Sequence, residues 1–232
     1  MGLGRTADLF LPIDDDAQVA ERQRLLAERR QEVFAVLDGE PAAVHDLLAR
    51  ADHGQDDVCA LRPDASGVHR LVGASLCFPS QWVLGEKLGR PVADIHAPVP
   101  GYQAALGARV DAFLARLRPG QVAARSNRLL HEREDLFAPR WTPRDGRPLA
   151  EWWLRSERQG LARVDGADVV AFTIRTRQVQ LESLPSDVAS RLADRLEAEP
   201  AELSAYRGYL AERPALVDFL RSHGHGAVVE SP

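Results

Sequence analysis

The fold turns on the stretch Trp152-Trp153-Leu154-Arg155-Ser156-Glu157-Arg158-Gln159-Gly160-Leu161-Ala162-Arg163-Val164-Asp165-Gly166-Ala167-Asp168-Val169-Val170-Ala171-Phe172-Thr173-Ile174-Arg175-Thr176. Asp165-Gly166 is a strong hairpin signal, because a tight connection between antiparallel strands demands positive φ, which these residue types tolerate. The runs Trp152 to Val164 and Val169 to Leu181 are its predicted strands. Alternation places Trp153, Arg155, Glu157 and Gln159 on one face of the first strand, and Leu154, Ser156 and Arg158 on the other. A polar trio at period two inside an otherwise apolar hairpin needs partners or solvent. Two readings stand side by side. The face is a pocket wall, with Glu157 for a cation and Arg155 or Arg158 for a carboxylate; or it is a solvated sheet face with cross-strand ion pairs, for example to Arg175 or Arg177.

Outward from the hairpin, Asp57 to Leu61 and Val68 to Phe78 read as two more strands. The stretch Arg62-Pro63-Asp64-Ala65-Ser66-Gly67 between them has turn chemistry. Val122 to Leu130 is a fifth strand, and a polar loop from His131 to about Pro148 follows it. Helical periodicity covers Asp16 to Leu37, Pro41 to Ala51, Gln81 to Leu88, Tyr102 to Leu117, Ser186 to Glu197, Ala201 to Arg213 and Pro214 to His223. The tail after Gly224 reads as loose. Helices flank a run of antiparallel strands without βαβ alternation, which is an α+β pattern. No domain linker stands out, so one domain over 1–232 is expected, with N-terminal helices at about 16–51, a core at about 57–181 and C-terminal helices at about 186–223.

With 232 residues, 45% of them hydrophobic, the chain can bury a real core. A net charge of -5 argues against a general nucleic-acid grip. Lys87 is the only lysine, so guanidinium forks will read any carboxylate bound here. No apolar run approaches the roughly 20 residues that span a bilayer, and Asp14, Asp15 and Asp16 come too early for a signal peptide. A cytoplasmic protein without a membrane partner is expected. In such a compartment Cys59 and Cys77 are read as buried thiols. Gly-rich phosphate loops, dinucleotide fingerprints, nucleophile elbows and Cys-x-x-Cys-His are absent from the sequence.

His96 stands before Ala97-Pro98-Val99-Pro100. The two prolines fix their own torsions and bias Ala97 and Val99 toward extended backbone, which predicts a stiff, polyproline-like strut. A neutral imidazole aimed by such a strut suits an axial position on heme iron. The same residue types equally describe a structural histidine bonded near a loop. Arg125 and Asn127 share a face of the fifth predicted strand, where an arginine can hold a propionate or simply face solvent.

Seven ordered pieces decide between these readings. They are Asp57-Val58-Cys59-Ala60-Leu61, Cys77-Phe78-Pro79-Ser80-Gln81-Trp82, Glu86-Lys87-Leu88-Gly89, Ile95-His96-Ala97-Pro98-Val99-Pro100-Gly101-Tyr102, Arg125-Ser126-Asn127, Leu154-Arg155-Ser156-Glu157-Arg158-Gln159 and Ala171-Phe172-Thr173-Ile174-Arg175-Thr176. Through them the chain, from about Asp57 to Leu220, resembles the heme-binding alpha subunit of heme-dependent oxidative N-demethylases. It departs from the family at Arg128, where Trp is usual, and at Arg163-Val164-Asp165, where Arg-Leu-Pro is usual.

The resemblance implies a PAS-like antiparallel sheet flanked by helices and carrying non-covalent heme b. It implies a heme-iron monooxygenase that oxidises a small secondary amine with dioxygen and releases formaldehyde. Electrons come from a separate flavin and iron–sulfur reductase. His96 matches the motif histidine and becomes the iron ligand. Tyr102, Glu157 and Arg158 match positions near heme or substrate. Arg125, Asn127, Arg155 and Gln159 become cofactor-binding candidates. Glu157 is assigned the ammonium form of the amine and then its proton. The alternative is a heme-binding PAS-like sensor or carrier without turnover, which has no need of an amine-binding carboxylate beside the iron. A cofactor-free interaction module is the third possibility.

Overall fold

A computed structural model describes residues 4–6, 8–102, 107–140 and 146–224. In chain order the strands are β1 (Gly4–Thr6), β2 (Phe34–Val36), β3 (Asp57–Pro63), β4 (His69–Ser75), β5 (Val122–His131), β6 (Trp153–Arg163) and β7 (Val170–Gln180). The helices are α1 (Asp16–Glu28), α2 (Arg30–Val33), α3 (Ala42–Asp52), α4 (Leu84–Lys87), α5 (Val92–Ile95), α6 (Gly107–Arg116), α7 (Ser186–Glu197), α8 (Ala201–Tyr206) and α9 (Arg213–Gly224). This is the expected α+β class, an antiparallel open sheet with flanking helices. No described helix is long and apolar enough to cross a membrane.

The chain forms two compact units. The first takes residues up to Asn127, Asp135–Trp141 and Glu157–Thr176; the second takes 128–134, 142–156 and the residues from 177 onward. Among the described residues, the first unit holds parts of all seven strands, in the order β1-β5-β6-β7-β3-β4-β2. The β3–β4 hairpin is where turn chemistry placed it. Asp64 Oδ1 accepts from Ser66 N (2.9 Å), Ser66 Oγ (2.6 Å) and Val68 N (3.2 Å), and Oδ2 accepts from Arg70 Nε (2.8 Å). The Ser66 and Arg70 bonds hold the Asp64 carboxyl well below the usual range.

Each face of this sheet has its own apolar layer. One gathers Cys59, Leu61, Leu71, Leu76, Val170, Phe172 and Ile174 against Leu84, Val92, Ile95, Leu114 and Leu117 from α4, α5 and the α6 region. The other packs Val58, Ala60, Val72 and Ala171 against Val44, Leu47, Leu48 and Ala51 of α3, with Leu9 and Phe10 alongside. His69 is buried at the start of β4. Its backbone N donates to Asp111 Oδ1 (2.8 Å), and its Nδ1 meets the same oxygen at 3.2 Å, tying β4 to α6.

Arg22 of α1 is buried, with no exposed side-chain surface. Its Nη1 meets Asp57 Oδ1 at 2.6 Å, Nε donates to Ala51 O (3.0 Å), and Nη2 donates to Ser75 O (3.0 Å) and Ser75 Oγ (2.8 Å). Asp57 in turn accepts from Cys77 N (2.7 Å) and Phe78 N (2.9 Å). The sequence pieces at Asp57 and Cys77-Phe78 are therefore joined by one buried carboxylate. Cys59 and Cys77 are both free and buried; burial pushes both thiols up, Cys77 to about 12.

On the α3 face, residues 8–14 lie along β6 and β7. Arg158 Nη2 donates to Asp8 O (2.7 Å), Thr173 Oγ1 to Leu9 O (3.1 Å), and Arg175 to Leu11 O (3.1 Å) and Pro12 O (3.0 Å). Arg175 Nε also bonds Asp56 Oδ1 at 2.7 Å. Gly160 permits this approach: a Cβ there would stand 2.7 Å from Thr173 Oγ1 and 3.2 Å from Leu9 Cδ1. Arg175 thus serves the N-terminal segment rather than an ion pair across the hairpin.

The second unit packs Trp152, Leu154 and Leu181 against Leu192, Leu196, Leu216 and Leu220 of α7 and α9. The expected helix over 201–213 stops at Tyr206. Gly208 is the physical reason: at φ +78° it caps the helix, its N donating to Ala205 O (3.0 Å) while Tyr209 N donates to Ser204 O (3.1 Å). Glu199 then gathers Ser204 Oγ (2.8 Å), Tyr209 Oη (2.6 Å) and Arg207, and its backbone O accepts from Arg213 (2.6 Å).

The single helix expected over 16–37 is a second correction. α1 ends at Glu28, α2 is one turn, and Phe34–Val36 joins the sheet beside β4. Backbone pairing of Phe34 with Ser75 and Val36 with Gly73 overrides the helical spacing, and an aromatic and a β-branched residue suit that edge. The short β1 has no signature of its own and exists through its pairing with β5. The helix expected over 102–117 is seen from Gly107; residues 103–106 and the tail beyond Gly224 lie outside the described residues.

Candidate functional site

α5 is one turn and His96 caps its C-terminal end, at φ -95° and ψ -1°. The ring is held by its own helix: Nδ1 donates to Val92 O at 2.8 Å, the i−4 carbonyl. A carbonyl only accepts, so the neutral ring carries its proton on Nδ1 and its lone pair on Nε2. Burial lowers the His96 pKa; the charges of Arg125 and Lys87 act the same way, against the Val92 bond. The imidazole is therefore neutral at neutral pH and has a basic nitrogen to offer.

The expected extended strut after His96 does not form. Ala97 N donates to Asp94 O (3.2 Å), Val99 N to His96 O (2.9 Å) and Tyr102 N to Val99 O (3.1 Å), so the segment curls through successive turns. The last has Pro100 and then Gly101 at its centre, with Gly101 at φ +73°, the arrangement of a type II turn. Proline stiffness is kept, but local hydrogen bonds close the backbone instead of extending it. The consequence is a contact: the Tyr102 ring stacks on His96, with centroids 4.8 Å apart and planes 12° apart. Burial pushes the Tyr102 hydroxyl up, with Arg125 pulling the other way.

The polar face expected on β6 is present. Arg125 Nε donates to Gln159 Oε1 (2.7 Å), Gln159 Nε2 donates to Glu157 Oε2 (3.0 Å), and Asn127 Nδ2 approaches the same oxygen at 3.5 Å. Four side chains from β5 and β6 thus form one network, and Glu157 within it is only 7% exposed. Burial pulls the Arg125 guanidinium down, and the Glu157 charge opposes that. At period two along the same strands stand Ala123 and Leu161. They join Phe172, Ile174, Val110 and Phe113 as half-buried members of the apolar layer that contains Val92 and Ile95.

Arg158, which the resemblance groups with Glu157, lies on the opposite face, as strand alternation placed it; there it holds Asp8 O and lies 3.4 Å from Thr6 Oγ1. Consecutive strand residues point to opposite sides of the sheet. Arg155 lies in the second unit, fully buried. There its charge acts on His131, whose pKa burial, the larger cause, and then Arg155 push down to about 4. The folded chain refuses until about pH 4 a proton that the unfolded histidine binds near 6.5. Stability should therefore be full above about pH 6.5 and fall by roughly 3 kcal/mol as pH drops through this window. Urea unfolding between pH 7.5 and 4.5 checks this, and His131→Gln should flatten the slope.

Sequence reading missed the Val92 carbonyl, because a backbone acceptor has no side-chain signature; the four-residue spacing to His96 was its only sign. It also missed the apolar row of Leu161, Phe172 and Ile174. Among the described residues, no group of three or more His, Cys, Asp or Glu is placed to hold a bare metal ion. The groups present suit heme, which asks for one neutral imidazole with a spent Nδ1, an apolar surface and cationic side chains.

No curated protein matches the chain. A family model does, over residues 49–217, and its description is haem-dependent oxidative N-demethylase, alpha subunit-like. The match covers most of the chain and includes His96, Tyr102 and the Arg125–Glu157–Gln159 network. The chain belongs to the haem-dependent oxidative N-demethylase, alpha subunit-like family.

Proposed function

We propose that the chain is a PAS-like heme b protein that oxidatively demethylates a small secondary amine. The observation that carries this reading is the buried Glu157 carboxylate, whose Oε2 receives the amides of Gln159 and Asn127, on a strand whose Leu161 belongs to the apolar layer of Val92 and Ile95. His96 Nε2 would hold the heme iron. Arg125 is the cationic partner for a propionate. Bound heme supplies the activation of dioxygen. Glu157 draws in the secondary ammonium, fixes its nitrogen, and takes the proton that must leave before the amine is oxidised. The half-buried Leu161, Phe172 and Ile174 exclude water and accommodate methyl groups.

The reaction balances with a two-electron donor. The N-methyl carbon leaves as formaldehyde, one atom of dioxygen goes into it and the other into water, and a flavin and iron–sulfur reductase delivers the electrons. The test is formaldehyde release from heme-loaded protein given dimethylamine, dioxygen and a surrogate reductant. Heme-loaded protein that releases none across a panel of secondary amines overturns turnover and supports a heme sensor or carrier. Glu157→Gln should load heme normally yet bind dimethylammonium about 2 kcal/mol more weakly, roughly thirtyfold, by difference absorption titration. Equal affinity in the two proteins removes Glu157 from the amine site.

A further inference from the structure

We propose that Tyr102 is a positioning residue which holds the plane of the His96 imidazole, and that the Val99–Tyr102 turn serves to deliver its ring there; the proposal rests on the heme reading above. Family resemblance places Tyr102 beside heme or substrate without a task, and the sequence reads Ala97-Pro98-Val99-Pro100 as a strut with no partner for its far end. The geometry assigns both. The hydrogen bond from His96 Nδ1 to Val92 O pins one ring atom at 2.8 Å but leaves the ring free to rock about that bond. A second restraint has to lie against the ring face. The Tyr102 ring does so, 4.8 Å between centroids and 12° from parallel.

Tyr102 is itself fixed. It is buried, and its backbone N donates to Val99 O at 3.1 Å across the turn. Gly101 at φ +73° allows that closure, and a side chain at this position would strain it. Pro100 and Gly101 let a type II turn close Tyr102 onto Val99, and the preceding turn closes Val99 onto His96 (2.9 Å), so the two together bring Tyr102 back over His96. An axial imidazole can rotate about its bond to a metal, and outer partners that fix its orientation tune the ligand. The ring face, not the hydroxyl, is the group that acts.

The test compares parent, Tyr102→Phe and Tyr102→Leu proteins. Phe keeps the stack and removes the hydroxyl; Leu keeps an apolar side chain and removes the stack, and thermal melts establish that both fold. After heme loading, frozen-solution electron paramagnetic resonance of the ferric protein reads the orientation of the axial ring, and transfer of heme to an apo-globin reads its retention. Phe should match the parent. Leu should broaden the resonance and release heme about tenfold faster. A Phe variant that changes as Leu does makes the hydroxyl the acting group and overturns the proposal; a Leu variant that matches the parent overturns it also. The heme reading fails separately, when the parent takes up no heme. In that case exchange of the His96 Nδ1 proton in heme-free protein decides: protection in parent and Phe that is lost in Leu upholds the proposal, and equal protection in all three overturns it.

Discussion

His96→Ala protein is expected to lose the absorption of histidine-ligated heme and to hold heme at least about a hundredfold more weakly than the parent. Removing an outer partner of a metal-bound histidine already costs about 10- to 100-fold, and here the ligand itself is removed. The reason for assigning such weight to one residue lies in its environment. Nδ1 is committed to Val92 O, burial and the charges of Arg125 and Lys87 disfavour the imidazolium, and the Tyr102 ring covers one face. Half-buried at the end of a single helical turn, His96 contributes little to folding, so the melting temperature should barely move. Added imidazole should restore part of the absorption by filling the space left by the ring. An unchanged spectrum in the variant would show that another residue is the ligand.

Arg22→Met should destabilise the protein by about 3–5 kcal/mol, the cost of leaving one partner of a buried ion pair alone, and lower the melting temperature by roughly 10 °C. Arg22 and Asp57 have no exposed side-chain surface. Burial pushes the Asp57 carboxyl up, and Arg22 together with the Cys77 and Phe78 N–H groups pulls against it. Without the guanidinium, the carboxyl rises further and the folded variant takes up a proton that the unfolded chain releases. A raised carboxyl costs stability above the unfolded value and costs nothing below it, so the deficit should be largest at neutral pH and shrink toward pH 4. Arg22→Met combined with Asp57→Asn should be less damaged than Arg22→Met alone, because no charge is left stranded. Calorimetric melts of the three proteins at pH 7 and pH 4.5 decide this; a single variant as stable as the parent would mean the pair adds nothing.

Neither Arg22 nor the N-terminal segment stood out in the sequence. Arg22 reads as one of several arginines on a charged helix, and only the closure of α1 over the ends of β3 and β4 makes it a buried cation with four acceptors. Arg158 and Glu157 are adjacent in a matching motif, yet the pleat separates them. One faces Gln159 and Asn127; the other binds the backbone of Asp8. Gln159 was a cofactor candidate on sequence and is, in the folded chain, the bridge between Arg125 and Glu157.

What the sequence determined by itself is what local chemistry controls. Asp165-Gly166 and Asp64 to Gly67 specify hairpins, alternation puts Arg155, Glu157 and Gln159 on one face of β6 and Arg158 on the other, and ordered short pieces identify the family. The tertiary structure decided everything that depends on which backbone meets which. Phe34–Val36 became a strand because β4 offered a partner. The polar face around Glu157 was legible as a pattern, but its wiring to Asn127, Gln159 and Arg125 was not. Hydrogen bonds between strands are set by register, and register is fixed only when the whole sheet is assembled.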